Sequence, residues 1–226
     1  DSKAMMTARR AFLEAGHYLP LAESLSLLIA SHKPEKTLAL YDAGCGEGYY
    51  LAAITAALIQ SGIKITAAGN DISKPAIEKA AKKYKELGFV IASNFKIPVA
   101  SASQNIVLQI FAPVAASEMR RVLVDGGIWL QVSPAQEHLT QLRQAVYETA
   151  HDHVIDDVIP EGFKLMASKR LSFNFELSDL QSRKDLLMMT PYYWSMAQVK
   201  VDAVIEKITS LNADFSIRVL AKQSMV

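Results

Sequence analysis

LALYDAGCGEG, residues 38–48, decides the reading of this chain. A short apolar run, Leu38 to Tyr41, leads into Asp42, Gly44, Gly46, Glu47 and Gly48 with almost nothing between them. A second apolar run, IKITAAGND over residues 63–71, closes on Asp71. A strand, a tight glycine turn, a helix and a second strand tipped with a carboxylate make half of a nucleotide-binding doubly wound sheet. The glycine spacing narrows the ligand. A dinucleotide fingerprint, G-x-G-x-x-G, needs a third small residue where helix meets strand. Counted from Gly44, that place is taken by Tyr49, whose ring would push the helix off the strand. Backbone N–H groups at the start of the helix suit an anionic carboxylate. The acceptor-only side chain of Asp71 suits a diol. A βα turn with glycines for sterics alone leaves the joint presence of Asp42, Gly44, Gly46, Glu47 and Asp71 unexplained.

Composition agrees with one α/β domain. Half of the 226 residues are hydrophobic, sufficient for a buried parallel sheet. No apolar run approaches the ~18 residues of a transmembrane helix, so no membrane partner is expected. No signal peptide is visible, and the chain begins with Asp1, as a processed or truncated chain would. The lone Cys45 rules out an internal disulfide and a cysteine zinc site within these residues, so no metal is expected. A single unpaired thiol suits a cytoplasmic protein. The net charge of +1 is no electrostatic footprint for nucleic acid. Lys79, Lys82, Lys83 and Lys85 read as the solvated face of a helix whose buried side holds Ile77, Ala80, Ala81, Tyr84 and Leu87.

Outward from the turn, strands and helices alternate. Helices are expected near 4–15, where Gly16 stops the first, and near 20–31. Strand one is about 38–42, helix 49–61, strand two 63–70, helix 74–87, strand three 88–92 and strand four 105–112. A helix near 115–124 ends at Asp125-Gly126-Gly127, read as a turn. Strand five is IWLQVS, and a helix over 136–151 follows. The pattern then changes. A long strand over 163–177 and a last strand over 214–222 can form the antiparallel edge of an otherwise parallel sheet. Between them lies a mostly helical insertion, 178–211. The expected organisation is a helical lid segment, 1–36, followed by the catalytic domain, 37–226.

The D-x-G-C-G-E-G turn resembles the first motif of class I S-adenosylmethionine-dependent methyltransferases. That family has a Rossmann-like, mostly parallel seven-stranded sheet with an antiparallel last strand. Further segments carry a closer resemblance: MMTARRAFLEAGHYLPL (5–21), DAGCGEGYY (42–50), DISKPAIEKAAKKY (71–84), IFAP (110–113), GGIWLQVSPAQEHL (126–139) and MTPYYW (189–194). In this order they resemble the bacterial 23S ribosomal RNA guanine-N1 methyltransferases over nearly the whole chain. The turn alone is class-specific; the entry segment with MTPYYW is far more specific. That family also carries an N-terminal zinc ribbon that helps to recognise RNA. The chain therefore reads as its catalytic region without the ribbon, with a naturally ribbon-less relative as the alternative.

The resemblance implies a cofactor, S-adenosyl-L-methionine, and a substrate, a large-subunit ribosomal RNA hairpin; a homodimer is left open. It assigns Asp42 to the cofactor site, Gly44, Gly46 and Glu47 to the methionine end of the cofactor, Asp71 to the ribose and Ile72 to the adenine. Ser93 and Asn94, after strand three, fall at the adenine edge, where many relatives have an acidic residue. Tyr18 is implied as a lid contact, against the alternative of a tyrosine packed between helices. His138 follows strand five, where loops line the crevice, and is assigned to the cofactor or the guanine and as the candidate base; a helix-capping surface histidine is the alternative. Strand four ends in IFAP, without the Asn or Asp with Pro-Pro that binds exocyclic amines, and this favours a ring nitrogen. Phe111 is placed at the reaction site as a stacking residue or, equally, in the core. Tyr192, Tyr193 and Trp194, with Arg9 and Arg10 of the entry segment, are assigned to the RNA. The activity implied is methylation of guanine N1. The alternatives are a small-molecule methyltransferase and a cofactor-binding module that has lost catalysis.

Overall fold

The computed structural model describes residues 2–33, 37–147 and 158–224. Their contacts divide into two units. One holds residues 20–33, 37–133, 158–169 and 216–224 and carries the sheet. The other holds residues 2–19, 134–147 and 170–215 and is mainly helical.

The sheet unit begins with α2, Leu19–His32, followed by β1, Thr37–Ala43. The helix α3 covers Tyr49–Gln60, β2 covers Lys64–Asp71, α4 covers Lys74–Lys83 and β3 covers Gly88–Ile91. Then come β4, Gln104–Ile110, α5, Ala116–Val122, and β5, Leu123–Pro134. Two long strands, β6 (Phe163–Glu176) and β7 (Ser210–Lys222), finish a seven-stranded sheet of order β3-β2-β1-β4-β5-β7-β6. The strands β1 to β5 pair in parallel. Of the last two, β7 runs against them, and β6, antiparallel to β7, runs with them. Lys222 donates to the Leu123 carbonyl at one end of β5, and Ala135 N–H to the Asp214 carbonyl at the other. The expected methyltransferase sheet is the one observed.

Parallel strands covered on both faces must be apolar throughout, and Leu38, Leu40, Tyr41 and Ala43 of β1 are all buried. One face of the sheet packs Tyr41, Val107 and Trp129 against Met119, Val122 and Phe163. In α3, Leu51, Ile54, Thr55 and Leu58 recur at helical spacing and are the buried side. In α4 Lys74, Lys82 and Lys83 stay outward while Ala76, Ile77 and Ala80 are buried. Ala81, expected inside, is exposed.

Two of the differences from the sequence reading have a clear structural cause. The helix α4 stops at Lys83, because Tyr84 leaves helical geometry (φ −113°, ψ 82°) and its ring seats beside Phe89, centroids 6.5 Å apart. Asp125-Gly126-Gly127 is not a turn before strand five but a bulge inside it. The β4–β5 register jumps from Gln104↔Leu123 to Ile106↔Ile128 and accommodates the extra residues.

The helical unit contains α1 (Lys3–Glu14), α6 (Thr140–Val146), α7 (Leu180–Met188), a 3-10 turn at Tyr193–Ser195 and α8 (Gln198–Lys207). It also takes the inner ends of β6 and β7. The Ser2 hydroxyl caps α1 by accepting from Met5 N–H at 3.1 Å, and Asp179 caps α7 through Ser182 N–H at 2.8 Å. Within the 1–36 segment, α1 belongs to the helical unit and α2 from Pro20 onward to the sheet unit. Of the helix expected over 136–151, residues 148–151 lie outside the described residues, as do 1 and 34–36 of the entry segment.

Candidate active site

Strand register brings the carboxyl ends of β1, β2 and β4 level, with Asp42 opposite both Gly69 and Leu108. The strand order reverses at β1, the place where doubly wound sheets hold their ligands. The turn after β1 is tied to β2, since Gly44 N–H and Cys45 N–H both donate to the Asn70 carbonyl at 2.9 Å. Gly44 has φ +88°, and a Cβ built there would lie 2.5 Å from Ala112 Cβ. Gly46 has φ +55° and faces open space, with no atom within 4 Å of such a Cβ.

Asp71 joins the turn to the strand end. Its Oδ2 accepts from Gly46 N–H at 3.0 Å, and its Oδ1 from Ser73 N–H at 2.8 Å. An ionised carboxylate offers about four acceptor positions, so both oxygens can still receive hydroxyl donors. Ile72 is 79 % exposed beside it, an apolar side chain presented to solvent. Glu47 Oε1 pairs with Lys79 at 3.0 Å, which accounts for the one lysine of α4 turned inward. Asn94 is engaged on both sides. Its Oδ1 accepts from Asn70 Nδ2 at 2.8 Å and its Nδ2 donates to the Pro113 carbonyl at 3.1 Å. Ser93 Oγ accepts from Phe95 N–H at 3.2 Å. Both residues stand beside the turn, but the bonds they make are internal ones.

Asp42 is buried, and its Oδ1 has no hydrogen-bond partner. Burial, and then the charge of Asp71, push its carboxyl up from 3.8 to about 7. A carboxyl that titrates higher folded than unfolded stabilises the fold below the unfolded value, and that stabilisation is lost as pH rises toward the folded value. In the absence of ligand, stability is therefore expected to fall between about pH 4 and pH 7 by an amount on the order of 2–4 kcal/mol. Asp42→Asn should flatten this slope and melt higher than wild type at pH 8. Parallel slopes for the two proteins in thermal melts across that range would refute the assignment. Burial likewise pushes the Cys45 thiol up, which keeps it protonated and unreactive.

Phe111 directly follows β4 with φ +57°, a rare backbone for a non-glycine residue, and is 44 % exposed. Tyr50 is an aromatic neighbour, 6.4 Å between centroids. The equal alternative, a core phenylalanine, is not what the structure shows.

Tyr18 and His138 come together in the helical unit. Tyr18 is buried, and Phe12, Phe175 and Phe215 pack edge-on around it at 5.0–5.8 Å. Its hydroxyl meets His138 Nε2 at 3.4 Å, and His138 Nδ1 accepts from Asp214 N–H at 3.2 Å. A neutral imidazole that accepts at Nδ1 carries its proton at Nε2 and has no lone pair left for a substrate proton. His138 is buried, so the solvent-facing cap is not what the structure shows. It is a buried histidine that locks the segment after β5. The same segment is held by an ion-pair network. Arg170 reaches Asp214 at 2.7 Å and Glu137 at 2.6 Å, and Asp214 also accepts from Glu137 N–H at 3.0 Å. Sequence reading missed Arg170 and Asp214 because they are far apart in the chain and belong to no local motif.

Tyr193 and Trp194 lie in the 3-10 turn beyond α7, and Tyr192 precedes it. None is buried, and Trp194 is 47 % exposed. Trp194 Nε1 donates to the Met188 carbonyl at 3.2 Å, and Tyr193 lies 5.0 Å from its ring edge-on. Tyr192 contacts Tyr147 at 5.5 Å. Arg9 and Arg10 lie half-exposed on α1, where Arg10 approaches Glu14 at 3.8 Å.

A methyltransferase-domain family matches residues 41–130. The Bacillus subtilis (strain 168) protein YxjB and a Micromonospora griseorubida protein both carry the provisional name 23S rRNA (guanine-N(1)-)-methyltransferase. They are 30% and 34% identical to this chain, covering 90% and 92% of it and 74% and 75% of their own lengths. The 23S rRNA (guanine(748)-N(1))-methyltransferase of Streptomyces fradiae is 28% identical, over 86% of this chain and 70% of its own. Among solved structures, MccD superposes with a TM-score of 0.57 at 17% identity, over 90% of this chain and 98% of its own. The [4+2]-cyclase SpnF superposes with a TM-score of 0.55 at 14% identity, over 89% and 82%. At such identities the structural likeness shows the fold alone.

Proposed function

We propose, from the premise that the chain belongs to the 23S rRNA (guanine-N1)-methyltransferase family, that it moves the methyl group of S-adenosylmethionine to N1 of a guanine in large-subunit ribosomal RNA. The family establishes a methyltransferase; the cofactor's identity and the target atom are our reading. The observation that carries it is the Asp71 carboxylate, anchored at 3.0 Å to Gly46 N–H beside a glycine open to solvent.

The residues fit this cofactor. Asp71 has acceptor capacity left for a ribose diol. Ile72 offers an exposed apolar surface for an adenine ring. The unpartnered Asp42 Oδ1 is an anion or acid near the turn, a feature suited to a cationic ligand. When bound, S-adenosylmethionine supplies an electrophilic methyl on a sulfonium. The chain's task is then to hold guanine N1 in line with the departing sulfur, and positioning of this kind supplies most of the rate. The N1 proton leaves to water. Phe111, with its exposed ring at the end of β4, is the stacking surface assigned to the guanine. Tyr192, Tyr193 and Trp194 offer a second aromatic surface to unstacked RNA bases, with Arg9 and Arg10 as phosphate contacts.

Asp71→Asn tests the cofactor assignment. It removes the charge and turns a donor toward Gly46 N–H or Ser73 N–H. Calorimetry with S-adenosylmethionine should show roughly tenfold weaker binding. Unchanged affinity would remove Asp71 from the cofactor site.

A further inference from the structure

The turn after β4 is held from two sides by half-buried amides. From below, Gln109 Nε2 donates to the Ala112 carbonyl at 2.7 Å, and its Oε1 accepts from Trp129 Nε1 at 3.1 Å. From beside, Asn94 Nδ2 donates to the next carbonyl, Pro113, at 3.1 Å. Asn94 is itself oriented by Asn70 Nδ2 at 2.8 Å, and Asn70 also donates to the Ala92 carbonyl at 2.8 Å. Asn70 is fully buried and Trp129 is 2 % exposed, so both relays start from fixed points in the sheet. They converge on consecutive carbonyls, immediately after Phe111. That residue keeps its sheet bond, Phe111 N–H to the Val132 carbonyl at 3.1 Å, yet takes a left-handed φ of +57°. A phenylalanine gains nothing locally from that conformation; it persists only where its surroundings over-determine it, and such outliers cluster at functional sites. Here the surroundings are the two relays. The consequence is a ring turned out to solvent at the carboxyl end of β4, directly after the strand that borders the cofactor turn.

We propose that Gln109 is a positioning residue for methyl transfer. Through the Ala112 carbonyl it holds Phe111 in the left-handed turn, and so sets the surface on which the guanine stacks. This rests on the function proposed above. Gln109 does not touch substrate; it acts through the backbone. The competing account is that the two relays serve folding alone.

The test uses the full chain. Gln109→Glu keeps the acceptor for Trp129 and loses the donor to Ala112, so the core bond survives while the latch opens. Gln109→Met removes both bonds at similar volume. Each is measured beside wild type, Phe111→Leu and the double variant Gln109→Glu with Phe111→Leu. The readouts are melting temperature, S-adenosylmethionine affinity by calorimetry, and single-turnover methyl transfer to unmodified 23S rRNA. We expect Gln109→Glu to melt and bind cofactor like wild type while transfer slows roughly ten- to a hundredfold, the usual cost of a misplaced reacting group. Gln109→Met should slow transfer at least as much. Adding Phe111→Leu to Gln109→Glu should cost little more, since both act on one element. Transfer at the wild-type rate in Gln109→Glu, fully additive losses, or a loss that tracks a lower melting point and weaker cofactor binding would each overturn the proposal. A wild-type chain that binds cofactor yet leaves guanine N1 unmodified would overturn the proposed function, and the positioning role with it.

Discussion

Gly46→Ala is expected to leave the protein folded and to abolish useful cofactor binding, with an affinity loss of roughly a hundredfold or more, the scale of a methyl forced into a filled site. The added Cβ meets no protein atom within 4 Å. The only cost to the folded chain is an L side chain at φ +55°, on the order of 1–2 kcal/mol. The ligand loses more. Gly46 N–H is the group that Asp71 binds at 3.0 Å, so the new methyl enters the open space beside the proposed cofactor site. Gly44→Ala serves as the contrast. There the Cβ would come within 2.5 Å of Ala112 Cβ at φ +88°, and both the melting temperature and the affinity should fall. A Gly46→Ala protein that binds S-adenosylmethionine like wild type would place the cofactor elsewhere.

Trp194→Ala is expected to reduce methyl transfer to RNA roughly ten- to a hundredfold, the worth of one lost base-stacking partner. Cofactor affinity should hold. Removing a buried tryptophan costs about 3–5 kcal/mol of stability. Trp194 is 47 % exposed and tied by a single bond to the Met188 carbonyl, so its removal should cost about 1 kcal/mol. Melting scans and cofactor titrations on the variant separate the two roles. A strongly destabilised protein, or one with wild-type transfer to RNA, would take this residue out of RNA recognition.

The features legible in the sequence were those set by neighbours in the chain. The turn, its glycines and Asp71 could be read because a βα turn is local and its chemistry is written in consecutive residues. The antiparallel finish of the sheet could be read because alternating Leu171, Phe173 and Phe175 show a period of two. Features set by distant partners could not be read so. The end of α4 depends on the Tyr84–Phe89 contact rather than on helix propensity. The glycines at 126 and 127 signalled irregularity correctly, but only pairing with β4 decides between a turn and a bulge. His138 was placed at the right end of strand five. Its role could not be read, because Asp214 N–H and the Tyr18 hydroxyl, which occupy its nitrogens, lie far away in the chain. Gln109 and Asn70 carried no signal beyond being amides near strand ends. Their meaning rests on the carbonyls they reach.

The central claim is tested most directly by incubating the protein with methyl-labelled S-adenosylmethionine and unmodified 23S rRNA, then mapping the labelled nucleotide and atom. The account predicts one labelled guanine, methylated at N1, with no label in the Gly46→Ala arm. Label on another base or on an exocyclic amine, or transfer that survives in Gly46→Ala, would contradict it.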